Sequence, residues 1–158
     1  MPRIKFTGLD EYIEKISKLN ALAEVYVEKA IGEGAKVVAD NTKKALQDIP
    51  VDNRGHIPYR SSINQKQKNG LIESFGIASL RRDGNFINVK TGFDGYNDII
   101  TKRWPQGQPN VVIARSLESG TSFMPKNPVI TKATRESKDA VLKAMEESLK
   151  KSIEELMK

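Results

Sequence analysis

Apolar positions recur every three or four residues near the start of the chain, and that spacing predicts helix. Ile13, Ile16 and Leu19 follow Gly8-Leu9-Asp10, where Asp10 is placed to cap the free amides of a helix beginning at Glu11. Asn20 offers an end to that helix and a cap for a second over residues 21–49, with Leu22, Tyr26, Ala30, Val37 or Val38, Ala45 and Ile49 along one face. Gly32 and Gly34 interrupt it. Each glycine costs about 1 kcal/mol relative to alanine in a helix interior, so the helix either bends there or admits another backbone closely. Pro50 ends the pattern.

Residues 51–70 are polar and without clear periodicity, which reads as a long loop that stays mobile until a partner orders it. Alternation then appears over residues 71–80. Arg81-Arg82-Asp83-Gly84-Asn85 offers a glycine-containing hairpin connection into a second strand over residues 86–93. Residues 94–110 form a second loop, punctuated by Gly95, Pro105, Gly107 and Pro109 and carrying Ile99, Ile100 and the only tryptophan, Trp104. The apolar run at 111–117 reads as a third, well-covered strand. From about Val129 to Met157, Ala133, Val141, Met145, Leu149, Ile153 and Leu156 keep one apolar stripe, while Glu146, Glu147, Lys150, Lys151, Glu154 and Glu155 form its solvated side. The expected fold is therefore α+β: two N-terminal helices, a small antiparallel sheet of three to four strands, and a long C-terminal helix packed on the sheet.

A length of 158 residues suits one domain, here 1–158, with the long loops at 51–70 and 94–110. The chain has no cysteine and a single histidine, His56, so disulfides, thiol nucleophiles, cysteine zinc sites and multi-histidine metal clusters are excluded. Neither a signal peptide nor a run of about 18 apolar residues occurs, which predicts folding in a cytoplasm without a membrane partner. The formal charge is +6. Residues 1–50 are balanced, and the surplus lies mainly in residues 51–110, with nine Lys/Arg against five Asp/Glu.

Candidate chemistry is sparse. His56 is the only side chain titrating near neutrality, and Ser61 and Ser62 stand near it in sequence, but no nucleophile-elbow motif accompanies them. Asp94 and Asp98 are too few for a hard-cation site, and Gly32-Glu33-Gly34 lacks the strand-to-helix setting of a phosphate loop. No catalytic residue, cofactor or metal is expected. Arg54, Arg60, Lys66, Lys68, Arg81, Arg82, Lys102 and Arg103, interleaved with Tyr59, Tyr96 and Trp104, could neutralise phosphates and stack on bases, so a basic DNA-binding module of a mobile element is one reading. Duplex binding that falls steeply with salt would mark it. The other reading is an interaction protein, in which Arg54, Tyr59, Arg60, Arg103 and Trp104 are interface residues of the aromatic and arginine type that anchors partners. Trp104 is equally compatible with a place in the core.

The segment Ile113-Ala114-Arg115-Ser116-Leu117-Glu118-Ser119-Gly120-Thr121-Ser122-Phe123-Met124-Pro125-Lys126-Asn127-Pro128 resembles the signature of the tail-completion proteins of long-tailed bacteriophages, also described as tail-component or head-tail joining proteins. In that family a strand runs into a Leu/Val-Glu-x-Gly-Thr turn, a short Met-Pro-x-x-Pro stretch and a C-terminal helix. The opening Ile4-Lys5-Phe6-Thr7-Gly8-Leu9-Asp10-Glu11, the helix end Lys43-Lys44-Ala45-Leu46 and the stretch Asn69-Gly70-Leu71-Ile72-Glu73-Ser74-Phe75 are similar to other parts of the family pattern. The chain departs from it in having residues 51–69 between Pro50 and Gly70, Asn69 in place of threonine, and Val129 where an aromatic is common.

The resemblance makes Glu118, Gly120, Thr121, Met124, Pro125 and Pro128 the motif residues. Gly120 can take positive φ so that the chain reverses, Thr121 or Ser122 can bond the turn backbone, and the prolines stiffen the approach to the last helix. Glu118 either holds the turn through nearby amides or pairs with a basic group on a neighbouring subunit, the first being favoured. The function implied is structural: a ring, hexameric in the assembled particle, at the head-proximal end of the tail. Its partners would be the neighbouring neck or connector proteins and the tail-terminator or tail-tube proteins. DNA would pass through without sequence recognition, and the protein would move from host cytoplasm to virion. The loops at 51–70 and 94–110 would be the docking segments.

Overall fold

A computed structural model describes residues 9–54, 59–84 and 86–158; the side chains of Leu9 and Asp10, and His56 with its neighbours, lie outside the described residues. The architecture is mixed helix and sheet. In chain order it runs α1 (Leu9–Gln47), α2 (Gln65–Ser74), β1 (Phe75–Ile77), β2 (Arg81–Asp83), β3 (Phe86–Asn88), β4 (Thr91–Phe93), α3 (Asn110–Ser119), α4 (Val129–Glu136) and α5 (Lys138–Met157).

The two expected N-terminal helices are one. Asn20 is exposed and the helix passes through it, since asparagine in a solvated helix position costs only a fraction of a kcal/mol, less than ending and restarting the backbone ladder. Of the two glycine outcomes, close approach applies at Gly34. A Cβ there would lie 2.9 Å from Cγ of Met145 and 3.1 Å from Cγ1 of Val141, both on α5. α5 runs antiparallel along α1: Asn41 Nδ2 donates to Ser137 Oγ at 3.0 Å near one end, and Lys15 Nζ donates to the Met157 carbonyl at 2.9 Å near the other. The C-terminal helices thus pack on α1 rather than on the sheet. The single helix expected over 129–157 is divided at Ser137, whose hydroxyl donates to the Ala133 carbonyl at 2.7 Å.

The four strands are shorter than the alternation suggested, three residues each, and they form two sheets rather than one. β1 pairs with β4 and β2 with β3, both antiparallel, as two nested two-stranded ribbons. Residues 81–83, expected as part of the turn, are themselves strand, and Gly84 at φ +59° makes the reversal. Phe75 and Phe93 are directly opposite, with ring centroids 4.9 Å apart.

Two segments changed class. Residues 65–74 are helix because Asn64 and Gln67 form a reciprocal capping box: Asn64 Oδ1 accepts from Gln67 N at 2.9 Å, and Gln67 Oε1 accepts from Asn64 N at 3.1 Å. Residues 111–117, expected as the third strand, are part of helix α3 (Asn110–Ser119), with Asn110, Ile113, Ala114 and Leu117 buried. That spacing is one helical face, and it outweighs the β-propensity of Val111-Val112-Ile113.

One core joins these pieces at the C-terminal end of α1. Leu46 and Ile49 meet Ile63, Leu71, Ile113, Leu117 and Met124. Each such aliphatic side chain removed from water contributes about 1.5–3 kcal/mol. Away from this head, the first half of α1 with the end of α5 forms a two-helix stalk. There Tyr12, Ile13, Ile16 and Val25 remain exposed.

Candidate functional site

The motif residues build a joint between α3 and α4. Gly120 closes α3, donating its N–H to the Ser116 carbonyl at 2.9 Å, and then turns at φ +75°, ψ 172°. A Cβ at that position would sit 2.8 Å from Lys126 N, so only glycine lets the returning chain pass this close. Thr121 and Met124 exchange backbone hydrogen bonds at 2.8 and 3.3 Å, and Thr121 Oγ1 accepts from Phe123 N at 3.4 Å. Met124 is buried in the core, whereas Pro125 and Pro128 are exposed. Glu118 takes the first of its two expected roles. Its carboxylate reaches across the turn and accepts the amides of Ile130 (2.7 Å) and Thr131 (3.2 Å), capping α4, whose own preceding residue, Pro128, supplies no side-chain cap.

The described part of the 51–70 loop is tied down, unlike the structureless run expected. Asp52 is buried and gathers Arg54 Nε (2.8 Å), Arg54 Nη2 (2.6 Å), Ser61 N (2.8 Å) and Ser61 Oγ (3.0 Å). The Arg54 guanidinium first, and the Ser61 amide second, hold the Asp52 carboxyl far below the usual carboxylate range. Asp52 N donates to the Ile63 carbonyl at 2.9 Å, and Ile63 enters the core. Arg60 N donates to the Phe123 carbonyl at 2.8 Å, stitching this loop to the motif joint.

The 94–110 loop is organised by Asn97, whose Oδ1 accepts from Ile99 N (2.9 Å) and Gln108 N (3.3 Å). Asn110 Nδ2 donates to the Asp94 carbonyl at 3.0 Å from the start of α3. Gly107, at φ +100°, passes so close to the Asn97 carbonyl that no side chain fits. Gln67 Nε2 reaches Gln108 Oε1 at 2.9 Å, joining α2 to this loop. Sequence reasoning missed Asn97, Asn110 and Gln67. Asn110 is legible only once α3 is recognised as helix, and the Asn64-x-x-Gln67 spacing was a signal available for the third.

Both loops and the joint meet on one open groove of about 460 Å³, lined among others by Arg60, Ile63, Trp104, Val112, Phe123 and Met124. Trp104 is half-buried in its wall, and the Arg103 guanidinium lies 5.4 Å from the Trp104 ring centroid. Of the five expected interface residues, Arg60 and Trp104 line the groove and Arg103 stands beside it through Trp104. Arg54 is occupied by Asp52, and Tyr59 is exposed next to Arg60 in the chain. The groove's apolar wall and cationic neighbours can receive an aromatic or aliphatic anchor accompanied by a carboxylate.

Asp94 and Asp98 are exposed, and among the described residues no group of three or more histidine or acidic side chains is placed to hold a metal ion. No described helix is long and apolar enough to cross a membrane. Comparison with protein-family models, with curated proteins and with solved structures gives no match to this chain.

Proposed function

We infer that this chain is a structural virion protein of a phage or prophage, a subunit of the neck or tail-completion ring that joins tail to head. The observation that carries the reading is that large apolar side chains among the described residues are exposed in separate places: Tyr12, Ile13 and Ile16 on the stalk, Phe86 on the hairpin, Ile100 and Phe123 around the head. A contiguous exposed apolar face such as Tyr12, Ile13 and Ile16 marks a site that assembly covers, and aromatic anchors such as Phe86 in other places suit a subunit with neighbours on more than one side. The motif block that resembles the tail-completion signature supplies the kind of assembly. Within it Gly120 permits the reversal and Glu118 caps α4, as a structural motif would.

In this role the protein forms a homo-oligomeric ring, hexameric in the particle, between connector and tail-tube or tail-terminator proteins. It is made in the host cytoplasm and ends in the virion. DNA crosses the ring through its lumen without base recognition, and no cofactor or catalytic group is called for. Electron microscopy of particles produced without this protein tests the reading: filled heads and separate tails are expected. Normally joined particles would overturn it.

A further inference from the structure

We propose that the tip of the β2–β3 hairpin, with Phe86 as its anchor, seats in the Trp104 groove of a second copy of this chain. The proposal rests on the reading of the protein as a ring subunit and specifies the contact that builds the ring.

Phe86 is 77% exposed, more than any other large apolar side chain among the described residues. It is not loosely presented. Arg82, opposite Ile87 in the β2–β3 register, is clamped on α1 by Glu28 (Nε to Oε1, 2.6 Å) and Glu24 (Nη1 to Oε2, 2.8 Å), which fixes the direction in which the hairpin projects. In the β2–β3 register Asp83 is directly opposite Phe86, and opposite residues of an antiparallel pair share one face. The tip therefore presents an aromatic ring with a carboxylate beside it. The groove presents the complement: an apolar wall that includes Ile63, Trp104 and Val112, with the exposed Arg103 guanidinium over the Trp104 ring. Its volume of about 460 Å³ accommodates a phenyl ring together with the turn that carries it.

No residue of the chain's own hairpin lines the groove, and the two are fastened to α1 at separate places. The hairpin leans on the middle of α1 at Glu24 and Glu28, whereas α2, which contributes Gln67 to the groove, is fastened at the C-terminal end of α1, where Lys68 Nζ donates to the carbonyls of Gln47 (2.6 Å) and Ile49 (2.8 Å). At 1.5 Å per residue the two attachment points are about 30 Å apart. A projection from the middle of α1 and a socket at its C-terminal end are different surfaces, so their contact is heterologous, head to tail. Repetition of such a contact closes into a ring when the rotation between copies allows it.

The chain has no cysteine, so engineered disulfides report the contact without background. Arg81→Cys and Lys102→Cys are both at exposed positions beside the contact and leave Asp83 and Arg103 in place. Oxidising an equimolar mixture of the two variants should yield the mixed dimer, and the double variant should give a ladder of higher species. Adding Phe86→Asp to the Arg81→Cys chain should lower the yield of mixed dimer by roughly tenfold or more, as for loss of an interface anchor. Circular dichroism of each variant should remain that of the parent. Absence of the mixed dimer, a predominance of same-variant dimers, or a yield unmoved by Phe86→Asp would overturn the proposal. In particles, full head-tail joining by the Phe86→Asp protein would overturn this contact and leave the neck reading standing. Absence of the unsubstituted protein from virions would defeat the neck reading alone.

Discussion

Glu118 holds Thr131 twice, accepting its amide at 3.2 Å and its hydroxyl at 2.5 Å across the turn between α3 and α4. Helix α4 carries no acidic residue in its own first turn, so Glu118 brings both the missing acceptor and the negative charge that the positive helix end favours. Glu118→Ala should lower the stability to urea unfolding by about 1 kcal/mol, as for loss of a helix cap. Glu118→Gln keeps an acceptor but not its charge and should cost on the order of half as much. Equal stability of all three proteins would show that the cap contributes nothing.

Asp52 gives the stability a defined dependence on pH. Its folded carboxyl is held far below the ordinary value, mainly by the Arg54 guanidinium and then by the Ser61 amide. A depressed folded pKa contributes stability that is fully present above the unfolded pKa of about 3.9 and is lost as pH falls toward the folded value. The difference in urea midpoint between the parent and Asp52→Asn should therefore be constant from pH 7 to about 5 and shrink progressively below about pH 4. A difference that grows as the solution is acidified would contradict the assignment.

How much of the fold and of the groove was legible in the sequence depended on whether a local signal agreed with its surroundings. The Gly120 reversal and the last helical region could be read because one residue type or one periodicity decided them. Helix α3 could not be read from Val111-Val112-Ile113, since β-branched residues favour strand when the environment is unknown. Only the burial of Asn110, Ile113, Ala114 and Leu117 on one face reveals the helical period there. The groove was less accessible still. Arg60 and Trp104 are more than forty positions apart in the chain, and what brings them together is the burial of Ile63 and the Gln67–Gln108 hydrogen bond, both tertiary facts.

Gly120→Ala isolates the backbone requirement of the motif. Its φ of +75° with ψ of 172° lies in a region open essentially to glycine alone, which by itself costs another residue about 1–3 kcal/mol. The clash with the Lys126 backbone adds to that, because a backbone segment pinned by the hydrogen bond from Asn127 N to the Leu117 carbonyl (2.8 Å) cannot simply withdraw. Thermal unfolding should show a loss larger than that of Glu118→Ala. A smaller loss would mean that the joint relaxes more freely than its hydrogen bonds suggest.

Gly32 and Gly34 sit two residues apart in the same helix, and alanine at each should act in opposite directions. At Gly32 nothing lies within 4 Å of a built Cβ, so Gly32→Ala gains helix propensity alone and should stabilise the protein by up to about 1 kcal/mol. At Gly34 the same propensity gain meets Met145 Cγ at 2.9 Å and Val141 Cγ1 at 3.1 Å. Met145 can shift within its flexible chain, but Val141 is β-branched and stiff at χ1, so relief requires α5 to move outward along a helix pair that is also joined at Asn41–Ser137. Gly34→Ala should be neutral to destabilising by about 1–2 kcal/mol, and Gly34→Leu should cost more, in the range of an overpacked core. Urea unfolding of the three variants decides the point: if Gly34→Ala stabilises as much as Gly32→Ala, then α5 does not press on α1 at Gly34, and the antiparallel stalk that carries the exposed Tyr12 and Ile16 face would have to be redrawn.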